Sequence, residues 1–238
     1  MQKVSQLLGL LLLLAPLLVN AQPEDDEYFY GFKAGVTYGN ISEIATSIIP
    51  AVFDENSYTV EDISRLGFTG SIFFYHRFRK SRFAIQPEIS FSDYGGDFNY
   101  TDIEDLDYTI ALRYQYLSFG VQAKVYPMGG LHFAIGPQVA FNVAPDNLTY
   151  TSNMPELGPD LQIQQSLREV LRGSNDINIL LGAGYDFDFG LMIEARYRLG
   201  LSDVMETMAN GFNFIENNNN SSGFQATIGW VIRFPDNR

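Results

Sequence analysis

Two histidines, His76 and His132, are the natural candidates for general acid–base work in this 238-residue chain, and there is no cysteine. Thiol nucleophiles, disulfides and cysteine-ligated metals are therefore excluded. Hydrolytic or acyl-transfer chemistry at a surface needs its histidine near the exposed mouth of the fold. Both histidines fall instead beside short turns, at the opposite end from the long loops, and are read as structural. The chain is read as non-enzymatic, with no catalytic residue, cofactor or metal. A carboxylate-only site at the outer rim is the one catalytic arrangement left open.

A second constellation is polar and periodic. Lys33, Gln86, Glu88, Gln122, Lys124, Gln138, Glu194, Arg196, Arg198 and Arg233 each alternate with apolar neighbours. On a strand, a period of two places such residues on one face. Gathered inside a narrow cylinder, they would make a hydrogen-bonded network of ion pairs. The other reading is an anion-attracting pore or a small anionic ligand held among them. Five bases against two acids leave cations short of partners, and an unpaired buried charge is costly. Tyrosines, waters or loop acids must then supply the rest.

A third set is acidic. DFNYTDIEDLDY (97–108) carries Asp97, Asp102, Glu104, Asp105 and Asp107, and an earlier loop adds Glu43, Asp54, Glu55, Glu61 and Asp62. Carboxylates suit calcium, but the glycine and terminal glutamate of an EF-hand loop are missing. The run is read as a solvated surface. A net charge of −13 and a pI near 4.4, with no basic outer patch, exclude nucleic acid as a partner.

The elements that position these residues are strands. Eight period-two segments run at 31–38, 66–78, 83–94, 116–126, 131–141, 177–187, 191–201 and 223–234. Each is close to the roughly 9–11 residues a tilted strand needs to cross a bilayer. Short turns (RKS with its flanks, PMGG, DFDFG) alternate with long connections at 39–65, 95–115, 142–176 and 202–222. All long loops therefore leave one end of the array and all short turns the other. The expected fold is all-β: a transmembrane, eight-stranded, antiparallel up-and-down β-barrel with long extracellular loops and short periplasmic turns.

Orientation follows from composition. The stripes opposite the apolar ones are rich in Gly and Ser, as a narrow interior requires, and the apolar stripes end in rings. Tyr126, Phe187 and Phe234 are expected at the short-turn end, with Tyr38, Phe141 and Phe224 at the loop end, as interfacial girdles. Grease then faces lipid. Pro87 and Pro137 each remove a ladder donor, so a bulge or a water is expected at both. Residues 1–21 read as a secretory signal peptide: Lys3, an apolar run from Leu7 to Val19, and a small-residue site at Ala21. Residues 22–238 then form a single barrel domain, exported to the bacterial outer membrane.

In the third long loop, PDLQIQQSLREVLRG (159–173) predicts an amphipathic helix. Asp160 would cap it, Ile163, Leu167, Val170 and Leu171 would share a face, and Gly173 would end it. That face either packs over the barrel mouth or docks a partner. IENNNNSSG (215–223) reads as a polar loop tip.

GFKAGVTYGN at 31–40, FAIQPEISFSDYGG at 83–96 and LHFAIGPQVAF at 131–141 resemble PorT-family proteins, small outer-membrane β-barrels of Bacteroidetes. The resemblance spans about residues 28–234 and implies the fold and the membrane; it transfers no catalytic residue. The family's namesake is associated with type IX secretion and gliding. Two functions follow as expectations. One is a structural or interaction module of the cell envelope, surrounded by outer-membrane lipid and contacting another envelope protein through its extracellular loops. The alternative is a narrow, porin-like pore or a small-solute-binding barrel.

Overall fold

The computed structural model describes residues 27–42, 58–78, 82–153, 160–207 and 219–233. In chain order these form β1 (Glu27–Ile41), β2 (Tyr58–Arg77), β3 (Phe83–Asp102), β4 (Asp107–Met128), β5 (Leu131–Asn142), β6 (Leu148–Ser152), α1 (Asp160–Val170), β7 (Leu171–Gly173), β8 (Asp176–Asp186), β9 (Leu191–Asp203), β10 (Met205–Thr207) and β11 (Asn220–Arg233). The expected signal peptide lies outside the described residues, as do Glu43, Asp54, Glu55 and Phe234.

Eight strands close a ring in the order β1–β2–β3–β4–β5–β8–β9–β11 and back to β1, with every pairing antiparallel. Closure leaves no edge in the ring, the condition for a β-structure to satisfy its backbone in hydrocarbon. Side chains alternate as the period-two pattern requires. Phe32, Phe68, Ile72, Phe133, Ile135, Phe224 and Ile228 are each more than half exposed on the outside, whereas Lys33, Gln86, Lys124 and Arg198 are buried inside. No described helix is long and apolar enough to cross a membrane; the strands do so.

The connection expected at 95–115 is not a loop. β3 and β4 run on as paired strands to Thr101 and Asp107 and are joined by a turn at 103–106. Asp102 holds that turn: its Oδ1 accepts from Glu104 N (2.8 Å) and Leu106 N (3.0 Å), and Asp105 takes a left-handed φ of 61°. β2 likewise begins at Tyr58, and β6 adds a fourth strand by pairing Leu148–Ser152 with Tyr108–Leu112. Together they raise a wall beyond the membrane.

The polarity of this wall is inverted. Along β3 the outward stripe reads Ile85, Pro87, Ile89, Phe91, then Asp93, Asp97, Asn99, Thr101, while the inward stripe passes from Gln86, Glu88, Ser90 and Ser92 to Tyr94, Phe98 and Tyr100. β4 switches at the same height, from Phe119 and Leu117 to Gln115 and Arg113 outside, and from Lys124, Gln122 and Ser118 to Tyr116, Tyr114 and Leu112 inside. Alternation persists; what is outside changes from lipid to water, so the apolar stripe changes face.

The free edge of β6 is covered by α1. Gln164 Oε1 accepts from Tyr150 N (3.0 Å), and Arg168 donates to the Leu148 carbonyl (3.0 and 3.2 Å). A covered edge cannot template pairing with another chain. The helix ends at Val170, and Leu171 and Gly173 lie on β7, paired with β10, rather than continuing the helical face. Asp160 Oδ2 accepts from Ser152 N on the neighbouring strand. Of the expected polar tip at 215–223, residues 220–223 belong to β11.

Both prolines interrupt a ladder without shifting it. The β2–β3 pairing omits Phe74 and Tyr75 opposite Pro87 and Gln86, and β4–β5 omits Val121 and Gln122 opposite Pro137 and Gly136, with unchanged register on either side. Of the bulge or water expected at each proline, the bulge is absent and the ladder has a gap instead.

Candidate functional site

The filled lumen is the most chemically loaded region. Glu88 on β3 and Glu194 on β9 form its centre. Lys33 from β1 binds both, at 2.8 and 2.9 Å. Arg196 grips Glu88 with two parallel hydrogen bonds (3.0 and 2.9 Å) and reaches Glu194 at 2.7 Å. Gln86 donates to Glu88 Oε2 at 3.0 Å. Lys124 stands 3.9 Å from Glu194 Oε1, and Gln122 is buried beside it. His132 is fully buried, with Nε2 3.6 Å from Glu194 and Nδ1 3.4 Å from Asp186. The cluster spans β1, β3, β4, β5, β8 and β9, so it ties most of the ring together across its axis.

Arg198 sits one inward step closer to the loops and belongs to a separate cluster. Its guanidinium pairs with Asp176 and lies over the Tyr94 ring, 4.0 Å from the centroid, and near that of Tyr116 at 5.2 Å. Asp176 also accepts from Ser221 (2.8 Å), Ser202 (3.0 Å) and Asn178 (3.1 Å). Gln138 donates to Ser90 at 3.2 Å. Arg233 lies on β11 opposite Phe29 in the register; its side chain is outside the described residues.

The anion that partners Arg198 is Asp176, while Asp186 serves Tyr126 and His132. Asp176 opens β8, one residue ahead of the expected strand, and has the inward parity of Asn178. His132 and Tyr126 also have inward parity, with Gln138 and Lys124 respectively. Tyr126 is thus not a girdle residue: it is buried, receives a hydrogen bond from Tyr75 (2.6 Å) and donates to Asp186 (2.6 Å). Small inward residues make room for the large ones. A Cβ at Gly184 would meet His132 Cε1 at 2.8 Å, and one at Gly182 would meet Arg196 Cγ at 2.9 Å.

Aromatic and apolar layers bound the polar interior. Toward the periplasm lie Phe73, Tyr75, Ala84, Tyr126 and Met192. Toward the outside, Phe98, Leu112, Tyr114, Leu148 and Leu171 belong to a single buried cluster with Val204 and Met205. Ile163 and Leu167 of α1 pack against that cluster; the Val170 side chain lies outside the described residues. Above it, Tyr58, Tyr100, Tyr108 and Tyr150 form a ring ladder with centroid spacings of 5.7, 4.8 and 5.6 Å. Burial, and then the neighbouring Tyr100 and Tyr150 phenols, push the Tyr108 phenol above its ordinary range.

Among the described residues no group of three or more His, Asp or Glu is placed to hold a metal. His76 packs at the periplasmic end of the barrel against Tyr28 and Phe78. The acids of the wall are spread along β2 and the β3–β4 turn.

A closed ring with hydrocarbon-compatible side chains outside and ion pairs inside defines an integral outer-membrane protein. The chain belongs to the outer membrane protein beta-barrel domain family, whose model matches residues 20–206, and its place is the bacterial outer membrane. No curated protein matches it in sequence. Among solved structures it is similar to neisserial surface protein A (12% identity, 87% of this chain and 96% of that one, TM-score 0.36). It is also similar to OprG from Pseudomonas aeruginosa (9%, 88% and 98%, 0.42) and to AlkL solved in lipid bilayers (10%, 92% and 96%, 0.40).

Proposed function

We propose that the protein is a sealed, non-enzymatic barrel that presents its extracellular wall and α1 to another component of the cell envelope. Secretion or surface assembly is the setting, by resemblance to the PorT-like barrels of Bacteroidetes. The observation that carries this reading is the apolar plug. A solute leaving the polar lumen outward would have to pass Phe98, Leu112, Tyr114 and Leu148, all with 0% exposure. A barrel without a path offers its surface instead. The wall ends in Ile103, 78% exposed, between Asp102 and Glu104.

Two measurements test the proposal. Purified barrel in planar bilayers is expected to give no single-channel currents; steady currents whose ion selectivity changes in Arg196→Glu would favour the pore. A photo-crosslinker at Ile103 in intact cells is expected to yield a discrete protein adduct that the same group at Ile193, on the lipid face, does not. Equal labelling patterns at the two positions would remove the interaction role.

A further inference from the structure

The lipid-facing surface is not uniform around the ring. From β11 through β1 to β5 it holds an apolar recess of about 850 Å³, within the roughly 300–1,000 Å³ typical of specific ligand sites. Pro87, Val121 and Pro137 line it from three adjacent strands, with Phe74, Ile89 and Phe119 around them. Proline is short, rigid and without an N–H, and both ladder gaps fall here. The recess is therefore built from the membrane-spanning strands themselves.

Charge supplies a second, independent observation. β2 and β3 are joined through RFRKSR (77–82), which holds four of the fifteen Lys and Arg residues of a chain with net charge −13. The other two short turns hold no cation: Met128-Gly129-Gly130 is neutral, and 186–190 contains Asp186 and Asp188. Arg77 turns inward over the Tyr126 ring (4.5 Å), whereas Arg82 is exposed at the rim. Arg79 and Lys80 lie outside the described residues. Pro87 is five residues along β3 from Arg82, about 17 Å at the usual rise of a strand. A cation at the interface below an apolar recess at hydrocarbon depth matches the two halves of a phospholipid.

We propose that this face binds one anionic phospholipid of the periplasmic leaflet, with an acyl chain in the Pro87–Val121–Pro137 recess and its phosphate at Arg82. Arg82, beside the start of β3 at the periplasmic end, selects that leaflet. A second copy of the chain, or a membrane segment of another protein, would fill the recess without using the cation.

Native mass spectrometry of the full protein from mild detergent tests this, with phosphatidylglycerol and phosphatidylethanolamine added at equal concentration. The expected spectrum shows a one-to-one phosphatidylglycerol adduct about five-fold or more above the phosphatidylethanolamine adduct. Arg82→Gln, a rim substitution outside the barrel's packing, should bring the two lipids close to parity. Val121→Trp should remove the adduct, while Ile193→Trp, facing lipid on β9, should keep it. Equal adducts in the unsubstituted protein would overturn the proposal. So would a phosphatidylglycerol adduct that survives Val121→Trp, or a lipid-free dimer that Val121→Trp dissociates.

Discussion

The membrane-spanning part of the barrel and the wall above it are built from the same strands and filled in opposite ways. Inside the bilayer, the interior of β3 and β4 is Glu88, Gln122 and Lys124 and their exterior is Ile89 and Phe119; a few residues on, the interior is Phe98, Leu112 and Tyr114 and the exterior is Asp97 and Arg113. The backbone does not change at the boundary, and the β3–β4 register is continuous across it. Only the solvent changes. In lipid there is no hydrophobic gain from burying grease inward, so polar residues take the lumen and must pair there. In water the ordinary rule returns, and the wall folds around a small apolar core closed by α1. The plug is thus a soluble-protein core at the end of a membrane barrel.

That contrast can be broken from either side. The largest effect is expected at Glu194, which serves Lys33, Arg196, Lys124 and His132 at once. Glu194→Ala should cost about 3–5 kcal/mol in urea unfolding, because it strands buried cations. The fluorescence of Trp230, the single tryptophan, reports the transition.

Next comes a matched pair on the outer stripe of β3. Ile89→Arg, facing hydrocarbon, should lose about 2–4 kcal/mol; Thr101→Arg, on the same stripe above the bilayer, should change stability by no more than about 0.5 kcal/mol. Equal losses would mean that the boundary is misplaced. Asp102→Ala should cost about 1 kcal/mol by freeing the two turn amides, without touching lumen or plug. A similarly small net effect is expected when Arg198→Met and Asp176→Leu are combined. Either alone should be clearly destabilising, whereas the double variant should unfold within about 1 kcal/mol of the parent, since a buried pair replaced by apolar groups is often neutral.

Sequence periodicity made the ring legible, because alternation and turn spacing are local. It also placed Lys33, Glu88, Glu194 and Arg196 on inward faces, although only the fold shows which of them meet. The wall reads as a loop in the sequence for a physical reason. The stretch from Asp93 to Tyr108 still alternates, but with its apolar phase inverted and its acids on the outer stripe, and a search for grease on one constant face stops at Phe91. Asp176 is not legible as a lumen residue because the apolar alternation begins only at Ile177, one residue after β8 starts. Nearness to a turn suggests the girdle for Tyr126 and a structural place for His132, although their parity with Lys124 and Gln138 points inward. α1 was readable as an amphipathic stretch; that its polar side chains would bind the edge of β6 depends on a strand that a five-residue segment cannot announce.

A spin-label scan along β3 from Ile85 to Thr101, in lipid vesicles, tests the inversion most directly. The account predicts that labels at 85, 89 and 91 collide with dissolved oxygen, that those at 97, 99 and 101 collide with a water-soluble nickel chelate, and that labels at 86, 88, 94 and 98 meet little of either. An outer stripe that stays oxygen-accessible through 101, or inward positions open to the chelate, would contradict it.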